Sequence, residues 1–166
     1  MTFSIRAVEE EDAKSIIDVL NPIIGEGAYT IMDKQVTLRD QIDFIRNFPE
    51  RGLYNVAVCN ESGRVLGVQD VVPIAREPAS AHVGAVSTFV SLGSHGRGIG
   101  SGLSLATFRA ARERGFLKIS ATIRADNPRA LSFYLRQGFR VIGTAQNHAL
   151  VGGKYIDEIL AEKFID

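Results

Sequence analysis

The chain has 166 residues, 45% hydrophobic and 23% charged, which suffices for one domain (1–166) with a packed core and is too short for two ordinary ones. Lysine plus arginine and aspartate plus glutamate both number 19, so no net charge builds a basic field for nucleic acid. No apolar run approaches the length of a membrane span, Met1-Thr2-Phe3-Ser4-Ile5-Arg6 is not a signal peptide, and Cys59 stands alone without a disulfide partner; the chain reads as cytoplasmic. His82, His95 and His148 lie far apart without metal-ligand spacing, and no metal is expected.

Residues 3–8 alternate and read as a first strand. Over residues 9–24, Ala13, Ile16, Ile17, Val19, Leu20, Ile23 and Ile24 recur at helical spacing, and Gly25-Glu26-Gly27 closes that helix. A loop over 28–35 leads to a second helix from Thr37, with Leu38, Ile42, Phe44 and Ile45 expected inward and an end before Pro49 and Gly52. Residues 54–58 and 64–74 make a hairpin about Glu61-Ser62-Gly63, and a loop over 76–80 precedes a strand over 82–90. A helix over 98–114 ends at a Gly115-Phe116 cap, and an apolar strand follows over 119–123. Asp126 or Asn127 then caps a helix with Pro128 at its first position, which Gly138 ends. Residues 140–150 and 155–164 are the last two strands, on either side of Val151-Gly152-Gly153-Lys154.

The segment His95-Gly96-Arg97-Gly98-Ile99-Gly100-Ser101 joins a strand to a helix, and a glycine-rich turn at a helix N-terminus holds an anion through free N–H groups and the helix dipole. Spacing separates it from other phosphate loops. A P-loop needs a lysine after its last glycine, and Ile99-Gly100 follows Gly98 instead. A dinucleotide fingerprint begun at Gly96 meets Ser101 in its last slot, and one begun at Gly98 meets Leu103.

The loop resembles the pyrophosphate loop of the GNAT superfamily of N-acetyltransferases, [QR]-x-x-G-x-[GA], with His95, Gly98 and Gly100 at the marked positions and His95 departing from the usual Gln or Arg. Asn127, Ala130, Phe133-Tyr134 and Gly138-Phe139 match a second motif of that family, and the resemblance spans roughly residues 54–164. It implies an α/β (α+β) fold with a mixed, mostly antiparallel sheet of about seven strands and about four helices, two central strands splaying to admit acetyl-CoA. It also implies that the loop amides from Gly96 to Ser101 hold the pyrophosphate with Arg97 in support, and that pantetheine lies along Thr88-Phe89-Val90 as an added strand. Asn127 would bond the cofactor, and Tyr134 would protonate the departing thiolate.

A protonated acceptor amine must lose a proton before attack. Many close family members carry an acid in a pattern like H-V-G-E, where this chain reads His82-Val83-Gly84-Ala85. Glu26, Asp70 and His82 are the candidate bases. Residues 28–32 and 153–157 resemble parts of the phosphinothricin acetyltransferase-like branch that border its acceptor pocket, so a small primary amine is the expected acceptor, with Tyr29, Glu26 and Asp157 beside it. A non-catalytic acyl-CoA-binding module, a protein or peptide N-acetyltransferase and a nucleotide-binding regulatory domain remain as alternatives. Pairing of the C-terminal strands between two copies would make a homodimer.

Overall fold

Seven strands form one sheet in the order β1-β2-β3-β4-β5-β7-β6. They are β1 (Phe3–Ala7), β2 (Leu53–Cys59), β3 (Val65–Pro73), β4 (Val83–Val90), β5 (Lys118–Arg124), β6 (Arg140–Val151) and β7 (Lys154–Phe164). The structure is a computed structural model and describes residues 1–74 and 77–166. Every neighbouring pair is antiparallel except β4 with β5. The helices are α1 (Ala13–Glu26), α2 (Leu38–Arg46), α3 (Ile99–Glu113) and α4 (Pro128–Arg136). Both the count of strands and helices and the mixed, mostly antiparallel sheet agree with the expected fold class. The loop expected over 76–80 begins outside the described residues, and Pro78–Ser80 is a 3₁₀ turn.

Helices cover the two faces of the sheet in pairs. On one face α1 buries Ile16, Val19, Leu20, Ile23 and Ile24 against Tyr54, Val56 and Val68. On the other, α3 and α4 bring Phe108, Ala111 and Tyr134 onto Val71, Val86, Ile119, Ala121 and Ile123. Period-2 alternation divides β3 between these layers: Val68 packs under α1, whereas Gln69 turns toward α3 and donates to Ser104 Oγ at 3.0 Å.

Local chemistry sets the element ends. Gly27 closes α1 in the left-handed conformation at φ +68. Thr37 and Asp40 form a reciprocal capping box at the start of α2. The expected cap after α3 is a Schellman closure, with Gly115 at φ +86 and the Phe116 N–H donating to Ala111 O at 3.0 Å; Phe116 is fully buried.

One inward face differs from expectation. Leu38 and Phe44 of α2 are 44% and 48% exposed, and the buried residue of that helix is Gln41. The cause lies beneath it. Tyr54 sits on β2 with its hydroxyl buried, and Gln41 Nε2 donates to it at 3.0 Å, so α2 turns a polar side chain inward to satisfy a polar floor.

Candidate active site

Strand β4 pairs with β3 from Gly84 to Val90, but with β5 only over residues 83–85 against 118–120. Both strands run on, to Val90 and Arg124, without pairing each other. Residues 86–90 of β4 therefore present a free edge of backbone N–H and C=O groups. A cavity of about 230 Å³ follows this edge, lined by Thr88, Phe89 and Val90. Its walls come from both faces of the sheet: Ile23 and Tyr29 from the α1 side, and Asn127, Phe133 and Tyr134 from α4. The splay lets one opening pass through the sheet.

The glycine-rich segment closes one end of that cavity. Gly96 and Gly98 hold φ of +74 and +78, which a side chain would strain, and an added Cβ at either would meet open space. Gly98 is also the N-cap of α3 and offers no side-chain acceptor, and the first helical bond between its carbonyl and the chain is from Gly102 N. The N–H groups of residues 99–101 consequently lack helical partners at the end of the cavity, an arrangement able to bond an anion. Gly100 is needed for a different reason: a Cβ there would lie 2.8 Å from Phe133 Cε2. Such a close approach holds α4 against the start of α3, and Gln137 Nε2 adds a bond to Ser101 Oγ at 3.0 Å.

His95 Nε2 lies 3.0 Å from the Val90 carbonyl, so its N–H pins the loop back onto the end of β4. This use needs one ring donor and no charge, which gives histidine a role in the slot where the family motif has Gln or Arg. Arg97 turns away from the cavity, its guanidinium 3.7 Å from Met1 Sδ. Two cations unmarked by the sequence reading, Arg129 and Arg136 of α4, line the cavity instead.

At the centre, Tyr134 Oη is 3.1 Å from Thr88 Oγ1, and Gln69 Nε2 donates to that same oxygen at 2.9 Å. Burial, the larger influence, pushes the Tyr134 phenol up to about 12 against the lowering effect of the Thr88 contact. The phenol therefore keeps its proton through the neutral range. Because Gln69 already occupies a lone pair of Thr88, the threonine hydrogen is free to turn onto Tyr134 Oη, where it would steady a phenolate. Gln69 is completely buried and its Oε1 has no partner among the described residues. Nothing in the pattern of β3 announced it, because a glutamine in an apolar strand carries no motif.

Asn127 serves as the N-cap of α4, accepting from Ala130 N at 3.1 Å, and it also donates to Tyr29 O at 3.4 Å. It thus ties α4 to the loop after α1. Arg124 does the same from β5, donating to Gly27 O at 3.0 Å and Thr30 O at 2.8 Å while Asp126 holds it bidentately. These bonds place Tyr29 at the cavity wall.

Several candidates stand elsewhere. Glu26 is exposed at the end of α1 and does not line the cavity. His82 is exposed just before β4, about 20 Å along the strand from Thr88 at some 3.3 Å per residue. Asp157 accepts from Asn147 N at 2.8 Å and braces the irregular register of β6 against β7. Asp70 is half-buried on the α1 face of β3, opposite Tyr54 and Ser87, and burial raises its carboxyl to about 7. Among the described residues no cluster of His, Cys, Asp and Glu could hold a metal, and no helix is long and apolar enough to cross a membrane.

A sheet opened between β4 and β5, with a glycine-rich helix N-terminus at the mouth, defines an acyl-CoA-dependent acyltransferase architecture. The model of the acetyltransferase (GNAT) domain matches residues 5–160, and the chain belongs to that family of N-acetyltransferases. A phosphinothricin N-acetyltransferase of Streptomyces coelicolor is 30% identical over 155 residues, 92% of this chain and 91% of that protein. Among solved structures, a ribosomal-protein-alanine N-acetyltransferase from Brucella melitensis superposes with a TM-score of 0.89 at 23% identity, covering 97% of this chain and 99% of that one. A phosphinothricin acetyltransferase from Sinorhizobium meliloti, solved in complex with AcCoA, gives 0.89 at 19% identity over 99% and 89% of the two chains. These two likenesses concern the fold.

Proposed function

We propose that this N-acetyltransferase moves an acetyl group from acetyl-CoA to the primary amine of a small, amino-acid-like acceptor by direct attack on the thioester. Acetyl-CoA is the cosubstrate. The observation that carries the reading is the cavity along the unpaired edge of β4, with an orphaned helix N-terminus at one end and a protonated tyrosine in its wall. The N–H groups of residues 98–101 would hold the pyrophosphate, with Arg129 and Arg136 supplying positive charge. Backbone groups of residues 88–90 would bond the pantetheine arm as an added strand and set the thioester carbonyl against a strand N–H. Tyr134 would then give its proton to the leaving sulfur, with Thr88 bonding the phenolate that remains.

The acceptor class rests on the 30% identical phosphinothricin N-acetyltransferase and on the wall made by Ile23 and Tyr29. A polypeptide acceptor would need a groove leading away from that wall. Mass spectrometry of reactions containing acetyl-CoA with phosphinothricin, free amino acids or short peptides tests this: N-acetylated amino acids are expected, and acetylation confined to peptide N-termini would reassign the acceptor. The exposed Val141, Ile142 and Leu150 on the edge strand β6 support self-association along that strand.

A further inference from the structure

An amine that attacks a thioester must arrive neutral, and its proton must go to a group near the splay. Neither Glu26, His82 nor Asp70 lines the cavity itself, but Glu26 is exposed at the end of α1, His82 lies about 20 Å along β4 from Thr88 at some 3.3 Å per residue, and residue 85 is an alanine. On the α1 face of the sheet, however, β3 and β4 place Asp70 directly opposite Ser87, and Ala85 is its diagonal neighbour on the same face of β4. Ser87 is exposed although it lies in the central strand of seven. Thr122, on the same face of β5 across the splay, is exposed as well. Helices α1 and α2 therefore leave Ser87 and Thr122 uncovered on this face, with Asp70 beside Ser87 on the neighbouring strand.

We infer that Asp70 is the general base of this enzyme, accepting the acceptor's ammonium proton at the Ser87 opening on the side of the sheet opposite Tyr134. The inference rests on the transferase reading above. Among the described residues no charged side chain is paired with the carboxylate. From β2 it faces the neutral Tyr54, itself bonded to Gln41 of α2; from β4 it faces Ser87; the α1 residues packed on this face of β2 and β3 are the apolar Leu20, Ile23 and Ile24; and the Tyr134 phenol, neutral, lies on the other face of the sheet. A carboxyl half-removed from water, with no cation beside it among the described residues, is poised to change charge near neutrality, which suits proton abstraction at that pH.

The proton accounting closes. Asp70 takes one proton from the ammonium, and the freed lone pair forms the C–N bond as the carbonyl pair moves onto oxygen. Return of that pair breaks the C–S bond, Tyr134 protonates the sulfur, and the proton shed by the new amide nitrogen restores the phenol. Asp70 then releases its proton to solvent.

The test compares wild type and Asp70→Asn by pH profiles of kcat/KM with the fastest of phosphinothricin, L-methionine and L-lysine, alongside acetyl-CoA affinity by calorimetry. The variant is expected to lose about 100-fold in kcat/KM near neutrality and to lose the acidic limb centred near 7, while acetyl-CoA affinity stays within about twofold. Hydroxylamine, largely unprotonated near neutral pH, is expected to be acetylated by both proteins at similar rates, which excludes a misfolded variant. Ala85→Glu in the Asp70→Asn background returns a carboxylate to the same opening and is expected to recover at least about tenfold of the loss. An acidic limb that persists in Asp70→Asn, or a kcat/KM within about threefold of wild type, overturns the assignment of the base alone. A wild type that binds acetyl-CoA and acetylates none of these amines overturns the transferase reading, and this assignment with it.

Discussion

Tyr134 and Asp70 are perturbed by the same cause, burial, with opposite consequences for their readiness to react. The phenol at about 12 is locked in its acid form, and the carboxyl at about 7 sits at the midpoint of its charge change. Tyr134→Phe keeps the ring against Phe133 and Phe139 and removes only the donor, so kcat is expected to fall at least about tenfold with little change in acetyl-CoA affinity. Equal turnover would remove the phenol from the mechanism. For Asp70 the fold raises the carboxyl from its unfolded value, so the neutral form is the one that folding favours. That favourable contribution is complete below about pH 4 and is lost as pH rises through about 7. Asp70→Asn fixes the neutral state and is expected to melt higher than wild type at about pH 8, by a few kcal/mol at most, and equally at about pH 3.5. Thermal melts at the two pH values check the sign. A variant less stable than wild type at the higher pH would show that the carboxylate is solvated or paired after all.

At the scale of elements, the loop into α3 and the loop after α1 carry the geometry. Gly98→Ala puts a side chain at φ +78, costing about 1–2 kcal/mol, and adds a methyl in the open space proposed for the pyrophosphate. Acetyl-CoA affinity is expected to drop by about tenfold or more in calorimetry, against an unchanged Kd if the glycine merely shapes a turn. Asn127→Ala removes a helix cap worth about 1 kcal/mol and the bond to Tyr29 O together. A higher KM for the acceptor is therefore expected alongside the loss of stability. The caps, turns and strands were legible because each depends on a few adjacent residues: Gly27, Thr37, Gly115 with Phe116, Pro128. The inward face of α2 was not, since Gln41 is buried by a hydroxyl on β2 that a helical period cannot register. Arg97 was likewise misdirected. Sequence adjacency put it in the loop, and its side chain left for Met1 while Arg129 and Arg136 came in from α4.

Over the whole molecule, topology decides what the sequence could only imply. Two motifs named the sheet and its opening, and the register confirms the opening as three paired residues followed by divergence. The catalytic candidates divide on the same ground. His82 stands before β4, about 20 Å along the strand from Thr88, whereas Asp70 gains its position from β3 lying antiparallel beside Ser87 of β4, a long-range pairing that no local spacing records. If copies pair along β6, sedimentation equilibrium is expected to give twice the 18.1 kDa chain mass, and a charged residue at Ile142 would return the chain mass.

The most direct measurement is CoA release from acetyl-CoA by the purified protein, followed by thiol reaction across free amino acids, phosphinothricin, polyamines and short peptides, with a Cys59→Ser control for the protein's own thiol. Acceptor-dependent release on a small amino-acid-like amine, saturable in both substrates and depressed in Tyr134→Phe, is the expected result. Acetyl-CoA binding with no release on any amine would contradict the account and leave a protein that holds the thioester without using it.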